Sequence, residues 1–114
     1  MKKEHILKKN FDFQRIIKNN PPYKYKDYIL YIERNSIKNY YFGFSVGKKI
    51  GNAVIRNKVK RQLRSIVSKK AYQNGFNCII IVGSNILKRN YLEMEQNLIE
   101  VLQKTKLIKG EKNE

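Results

Sequence analysis

Apolar residues between positions 55 and 66 recur at three- and four-residue intervals, the spacing that places side chains on one face of an α-helix. The stripe consists of Ile55, Val59, Leu63 and Ile66. Asn52 stands just before it and can cap the first turn with its side chain. The pattern predicts an amphipathic helix over residues 52–72 whose apolar face docks on the core.

Three other segments have the composition of β-strands. Residues 23–34 are rich in Tyr and Ile, and in residues 40–46 large apolar side chains alternate with mostly smaller ones. Residues 78–82 form a continuous apolar run, which is typical of a central strand covered on both faces. The residues of the second segment predicted to face the core are Tyr40, Phe42, Phe44 and Val46. Those on its opposite face are Tyr41, Gly43 and Ser45. The small residues of that face leave room for a ligand to approach the backbone.

Two further helices complete the pattern. One is predicted over residues 11–18 with Asn10 as its cap, and one over residues 91–105. The residues of the last helix expected to face inward are Met94, Leu98, Val101 and Leu102. Gly75 is expected to adopt a left-handed conformation in the turn that follows the helix over residues 52–72. Residues 1–9 are expected to form a flexible basic arm and residues 106–114 a frayed tail. The element order predicts a single-domain α+β sandwich of a small central sheet with packed helices.

The charge distribution indicates a polyanionic partner. The 114 residues carry a formal net charge of +16, from 25 basic and 9 acidic residues, and no Asp or Glu stands between Arg34 and Leu92. At 41% hydrophobic residues the chain is expected to fold. On the predicted helix 52–72, basic residues lie beside the apolar stripe in rows four residues apart. In a chain of this size, a cationic face without neighbouring acids favours nucleic acid as the partner.

Residues able to perform catalysis are not clustered in the sequence. His5 is the one histidine, and metal-free RNA hydrolysis generally needs both an acid and a base. The carboxylates are scattered, so no metal site is expected on the protein. Cys78 allows no internal disulfide, and its apolar neighbours predict an inert thiol in a reducing cytoplasm. No apolar run reaches the length of a membrane span, and the polar start of the chain is unlike an export signal.

The segment from Phe44 to Arg61 resembles the signature of the bacterial ribonuclease P protein subunit. The family has a run of the form F-S-V-S-K-K-x-G-N-A-V-x-R-N-R-x-K-R, from which this chain departs at Gly47, where Ser is usual, and at Lys58, where Arg is usual. Lys keeps the charge but lacks the bidentate fork of Arg. Residues 7–15 and 28–31 also resemble the family. The resemblance implies the family's ribosomal-protein-S5-domain-2-like fold, with the order α-β-β(-β)-α-β-α.

The resemblance also implies a function. The family's protein subunit assists removal of the 5′ leader of precursor tRNA, while the RNA subunit performs the cleavage with Mg²⁺. The residues implied to bind the RNA subunit are Lys48, Lys49, Asn52, Arg56, Asn57, Lys58, Lys60, Arg61 and Arg64. Those implied to line a cleft for the single-stranded leader are Phe13, Ile17, Tyr28 and Tyr31. The implied partners are ribonuclease P RNA and precursor tRNA in the cytoplasm, with no DNA, no membrane and no catalytic residue on the protein.

Two other functions remain open on the residues alone. A ribosomal or ribosome-assembly protein of similar small α/β shape would explain the charge and the strands, but not the specific run over residues 44–61. A stand-alone ribonuclease would also bind RNA, but the sequence lacks an acid–base pair for it.

Overall fold

The chain forms one four-stranded sheet with three α-helices, and the computed structural model describes residues 3–110. The elements are α1 (Asn10–Asn19), β1 (Pro22–Tyr25), β2 (Tyr28–Arg34), β3 (Tyr40–Ser45), α2 (Ala53–Val67), β4 (Phe76–Val82) and α3 (Tyr91–Lys104), with 3-10 helices at Lys3–His5 and Ser84–Lys88. This arrangement agrees with the predicted α+β class and with the predicted order of helices and strands.

The sheet has the order β1-β2-β4-β3. β4 runs antiparallel to β2 and parallel to β3, so the continuous apolar run at residues 78–82 is central as predicted. The register pairs Leu30 with Ile80 and Phe44 with Ile80, and these three residues therefore share one face. That face packs against α2 and α3 and contains the main core. The opposite face is covered by α1.

The basic helix α2 has the predicted phase and cap. Asn52 Oδ1 accepts a hydrogen bond from Ile55 N at 3.0 Å. The buried members of its apolar face are Val59, Leu63, Ile66 and Val67. Ile55 is the exception, with 38% of its surface exposed. The helix ends at Val67, earlier than predicted, because Tyr72 leaves the helical path to enter the core, where its hydroxyl donates to the Val67 carbonyl at 2.6 Å.

Two predictions about the first half of the chain are wrong. Residues 23–34 form two strands, because Lys26 has a φ of 52° and reverses the chain so that Tyr25 pairs with Tyr28. A Lys-Asp turn lacks the Asn-Gly or Asp-Gly signal by which such hairpins are usually recognised. Asn10 is the first helical residue and not the cap, and Lys9 at the cap position makes no side-chain capping bond.

Both described ends of the chain pack on the domain, unlike the predicted arm and tail. Ile6 bridges to Phe42, and Leu7 N donates to the Phe42 carbonyl at 2.8 Å. Leu107 and Ile108 are buried. The edge strand β3 supplies unpaired backbone groups for the first of these contacts. Residues 1–2 and 111–114 of the two predictions lie outside the described residues.

Candidate nucleic-acid interface

The exposed side of α2 carries a cluster of cations that have no acidic partner among residues 3–110. This basic face consists of Arg56, Lys58, Lys60, Arg61 and Arg64. Within residues 3–110, none of the five lies within 4.0 Å of a carboxylate oxygen. Lys58, Arg61 and Arg64 are exposed. No carboxylate of the described residues relieves the mutual repulsion of these cations, and a bound polyanion would relieve it.

The described carboxylates are engaged elsewhere. Their ion pairs are Asp12–Arg15, Glu33–Arg15, Asp27–Arg89, Glu95–Lys69, Glu100–Lys26 and a long Glu4–His5 contact. Glu93 closes a capping box with Asn90 at the start of α3. The Glu95–Lys69 pair lies just beyond the C-terminal end of α2, and the other contacts lie on α1, α3, the strands and the connecting or terminal segments. None of these contacts involves a cation of the basic face.

The loop between β3 and α2 adds two more cations to this region. Lys48 and Lys49 are exposed, while their neighbour Ile50 is buried and anchors the loop. Arg56 Nε donates to the Gly51 carbonyl at 3.2 Å, so this arginine also holds the loop against the helix. Asn57 is exposed on the first turns of α2. The residues predicted to bind an RNA subunit thus lie on one helix and the loop that precedes it.

The predicted leader cleft involves α1 and the sheet face beneath it. Phe13, Ile17 and Tyr31 are all partly exposed, and Tyr31 lies on the face that α1 covers. The space over Gly43 is filled, however, because the Phe13 ring packs there: an added Cβ at Gly43 would lie 2.6 Å from Phe13 Cζ. The prediction that this position leaves room for a ligand is therefore wrong, and the glycine accommodates Phe13.

Tyr28 does not belong to the predicted cleft. It pairs with Val82 on the core face of the sheet, opposite α1, and none of its surface is exposed. Its hydroxyl donates to the Met94 carbonyl at 3.0 Å, which joins β2 to α3. Strand alternation separates it from Tyr31, which lies three residues later on the other face.

Arg15 connects α1 to the sheet beside the cleft, a role that the sequence did not reveal. Its Nε and Nη2 donate to the two oxygens of Glu33 at 3.1 and 2.9 Å, and its Nη1 donates to Asp12 Oδ1 at 2.6 Å. The Asn77 amide donates to Glu33 Oε1 at 2.8 Å. Arg15, together with Asn77, holds the pKa of the Glu33 carboxyl below its usual range. Spacing could suggest Asp12–Arg15, but not the pairing with Glu33, which is 18 residues away.

A groove of about 200 Å³ joins the basic face to α1. Its lining includes Lys60 and Arg64 from α2, Phe13 from α1, and Leu7 and Lys8 from the N-terminal segment. The basic face and the side of Phe13 are thus neighbouring parts of one surface, although they come from distant parts of the chain. A single-stranded nucleic acid could contact aromatic and cationic side chains together here.

The side chains from which the protein could build a catalytic site of its own are His5, Cys78 and the carboxylates. No group of three or more His, Cys, Asp or Glu side chains within residues 3–110 could hold a metal ion. Burial raises the pKa of the Cys78 thiol, so this side chain stays protonated. The His5 ring stacks on the Tyr40 ring with 4.1 Å between the ring centroids, and His5 Nδ1 is hydrogen-bonded to the Tyr40 carbonyl. In the described part of the chain, no helix is both long and apolar enough to cross a membrane.

Comparison with known proteins assigns these features to one family. A family model described as Ribonuclease P matches residues 1–106. A ribonuclease P protein component from Mycoplasma mycoides is 40% identical over 109 residues, which cover 93% of this chain and 100% of that protein. The component from Streptococcus agalactiae is 34% identical, with 95% and 100% covered.

Solved structures agree. A Staphylococcus aureus RNase P protein mutant with defective mRNA degradation activity superposes with a TM-score of 0.83 and 34% identity, over 93% of this chain and 92% of that chain. The RNase P protein from Thermotoga maritima has a TM-score of 0.77 over 86% of this chain and 94% of that chain; at 22% identity this likeness supports the fold alone.

Proposed function

Because this chain belongs to the ribonuclease P protein family, as a protein component of the bacterial type, we propose that it binds the catalytic RNA of ribonuclease P and the 5′ leader of precursor tRNA. In this role it assists the endonucleolytic removal of the leader. The observation that carries the proposal is the basic face of α2, whose five cations have no acidic partner among residues 3–110.

The basic face and its loop bind the RNA subunit chiefly through phosphates. The proposed binding surface also includes residues of the loop and of the start of α2, namely Lys48, Lys49, Asn52 and Asn57. Phosphate contacts by such residues release counterions and position the protein on the RNA. Neutralised phosphates also let the RNA fold compactly at lower salt. Lys58 supplies a point charge where the family usually has the fork of an arginine.

The cleft beside α1 holds the single-stranded leader. Phe13 and Tyr31 supply aromatic surface, and Ile17 supplies apolar contact. Stacking or close contact with a base contributes about 1–3 kcal/mol and tolerates any sequence. Because mature tRNA lacks the leader, this contact raises affinity for the precursor alone. The enzyme therefore prefers substrate to product.

The chemistry resides on the RNA subunit, which uses Mg²⁺ in the cytoplasm. Three features of the protein support this assignment. Cys78 is buried, and His5 is engaged with Tyr40. The carboxylates within residues 3–110 form ion pairs or a capping box and do not converge on one site.

Reconstitution tests the proposal. The pure protein is mixed with precursor tRNA, with and without ribonuclease P RNA from the same genome, at low Mg²⁺. Mature 5′ ends are expected only when RNA and protein are both present. Cleavage by the protein alone would instead indicate a stand-alone ribonuclease. If the protein has no effect on cleavage and no affinity for either RNA, a ribosomal or ribosome-assembly role becomes the better explanation.

A further inference from the structure

A groove between α2 and the 3-10 helix Ser84–Lys88 borders the basic face at Lys58, but its apolar lining belongs to neither of the surfaces described above. It has a volume of about 270 Å³. Its apolar lining includes Ile55 from α2, Leu87 from the 3-10 helix and Met94 from α3, and the cations Lys58 and Arg89 also line it. Pockets for drug-sized molecules usually occupy about 300–1,000 Å³. The groove therefore has room for a single ring system.

Two of its apolar residues are exposed. Ile55 and Leu87 keep 38% and 51% of their surface in solvent. Ile55 is the member of the α2 stripe that is not buried, so the core does not account for its apolar side chain. Exposed apolar side chains that line one groove are typical of a binding surface.

The charges beside the groove select the type of ligand. Lys58 is exposed and, within residues 3–110, has no carboxylate within 4.0 Å. Arg89 is fixed by Asp27, whose Oδ2 accepts from Arg89 Nε at 2.8 Å. An apolar slot for one ring, with an unpaired cation beside it, complements a nucleotide, which combines a flat base with a phosphate.

We propose that this groove receives one unpaired base of the ribonuclease P RNA, with the adjoining phosphate at Lys58. The proposal rests on the proposed function, in which α2 binds that RNA. The base contacts Ile55 and Leu87 through its faces, so the site selects an unpaired nucleotide and not a particular sequence. The contact fixes the rotation of α2 on the RNA, which phosphate contacts alone determine less strictly.

Binding of ribonuclease P RNA at several salt concentrations tests the site. Leu87→Ala is expected to weaken binding about 5-fold or more, because the variant buries less apolar area against the base, with an unchanged salt slope because no charge is lost. Lys58→Ala is expected to flatten the log–log slope by about 0.7–0.9. Leu92→Ala, which removes a similarly exposed leucine that does not line the groove, is the matched control and is expected to bind like wild type.

Chemical probing of base edges, with dimethyl sulfate and a carbodiimide, gives a direct readout. At least one unpaired base is expected to lose reactivity on binding the wild-type protein and to regain it with Leu87→Ala but not with Leu92→Ala. Equal binding and identical probing for the two variants would overturn the site. A free protein that dimerises through Leu87 would also overturn it. If wild-type protein does not bind the RNA at all, the proposed function itself fails.

Discussion

The ring of Phe13 lies directly on the backbone of Gly43. A Cβ added to this glycine would come within 2.6 Å of Phe13 Cζ and 2.8 Å of Ile79 Cδ1. Real Cβ atoms do not approach other atoms so closely, so any larger residue must displace the ring or the sheet. The position of α1 on the sheet therefore depends on the absence of a side chain at Gly43. The same contact fixes one wall of the proposed leader cleft.

Gly43→Ala is expected to destabilise the domain by about 1–3 kcal/mol, as overpacking usually does, and to reduce the preference of the holoenzyme for precursor over mature tRNA. Gly47→Ala is the matched control, because nothing lies within 4 Å of an added Cβ there. Thermal unfolding and binding of the two tRNAs measure both effects. Equal behaviour of the two variants would show that Phe13 is not held by this contact.

Tyr31→Ala should weaken binding of precursor tRNA by about 1–3 kcal/mol and leave binding of mature tRNA nearly unchanged, since only the precursor has a leader. Tyr31→Phe removes only the hydroxyl and so separates its contribution to binding from that of the ring. The control is Tyr28→Phe, which removes the bond to the Met94 carbonyl. That variant should lose about 0.5–1.5 kcal/mol of stability with no change in leader preference. Equal losses for both tRNAs in Tyr31→Ala would argue against the leader cleft.

Arg61→Ala should weaken binding of the RNA subunit and flatten its salt dependence by about 0.7–0.9 in log–log slope. Arg61 is exposed and makes no ion pair within residues 3–110, so the fold should be unaffected. Arg56→Ala is a less specific probe because Arg56 also bonds the Gly51 carbonyl. Lys104→Ala on α3 removes the same charge away from the basic face. An identical slope in Arg61→Ala and wild type would contradict a phosphate contact.

Val59→Asp should unfold the domain or cost several kcal/mol, because it places an unpaired charge in the core, where Val59 is only 4% exposed. Val54→Asp is the matched control on the same helix. Val54 is 77% exposed, and an acid in the first turn interacts favourably with the helix dipole. The measurement is the melting temperature of each variant compared with that of wild type. Similar melting of both variants would mean that α2 has a different orientation.

The pairing of Glu33 with Arg15 should make stability depend on pH. The pKa of Glu33 is lowered in the folded chain, so its contribution is fully present above the unfolded value of about 4.3. It is lost as the pH falls through the lower folded pKa. Glu33→Gln should lose about 1.5–3 kcal/mol at neutral pH and show a smaller further loss between pH 5 and 3 than wild type. If the free energy of unfolding fell equally with pH in Glu33→Gln and in wild type over that range, the pairing would be contradicted.

Local patterns in the sequence were sufficient to identify α2, β4 and the basic face. Periodicity fixes which side of a helix is buried, and the missing acids between Arg34 and Leu92 mean that only tertiary contacts could pair the cations of α2. The run over residues 44–61 also carried the family resemblance that the comparisons confirmed.

Only the tertiary structure shows on which face of the sheet α1 packs. β2 has apolar residues on both faces, so alternation separates Tyr28 from Tyr31 but does not say which of them lies under α1. The pairing of Arg15 with Glu33 and the seating of Phe13 on Gly43 join residues 18 and 30 positions apart. Such contacts depend on how elements pack in three dimensions, and no local periodicity encodes them.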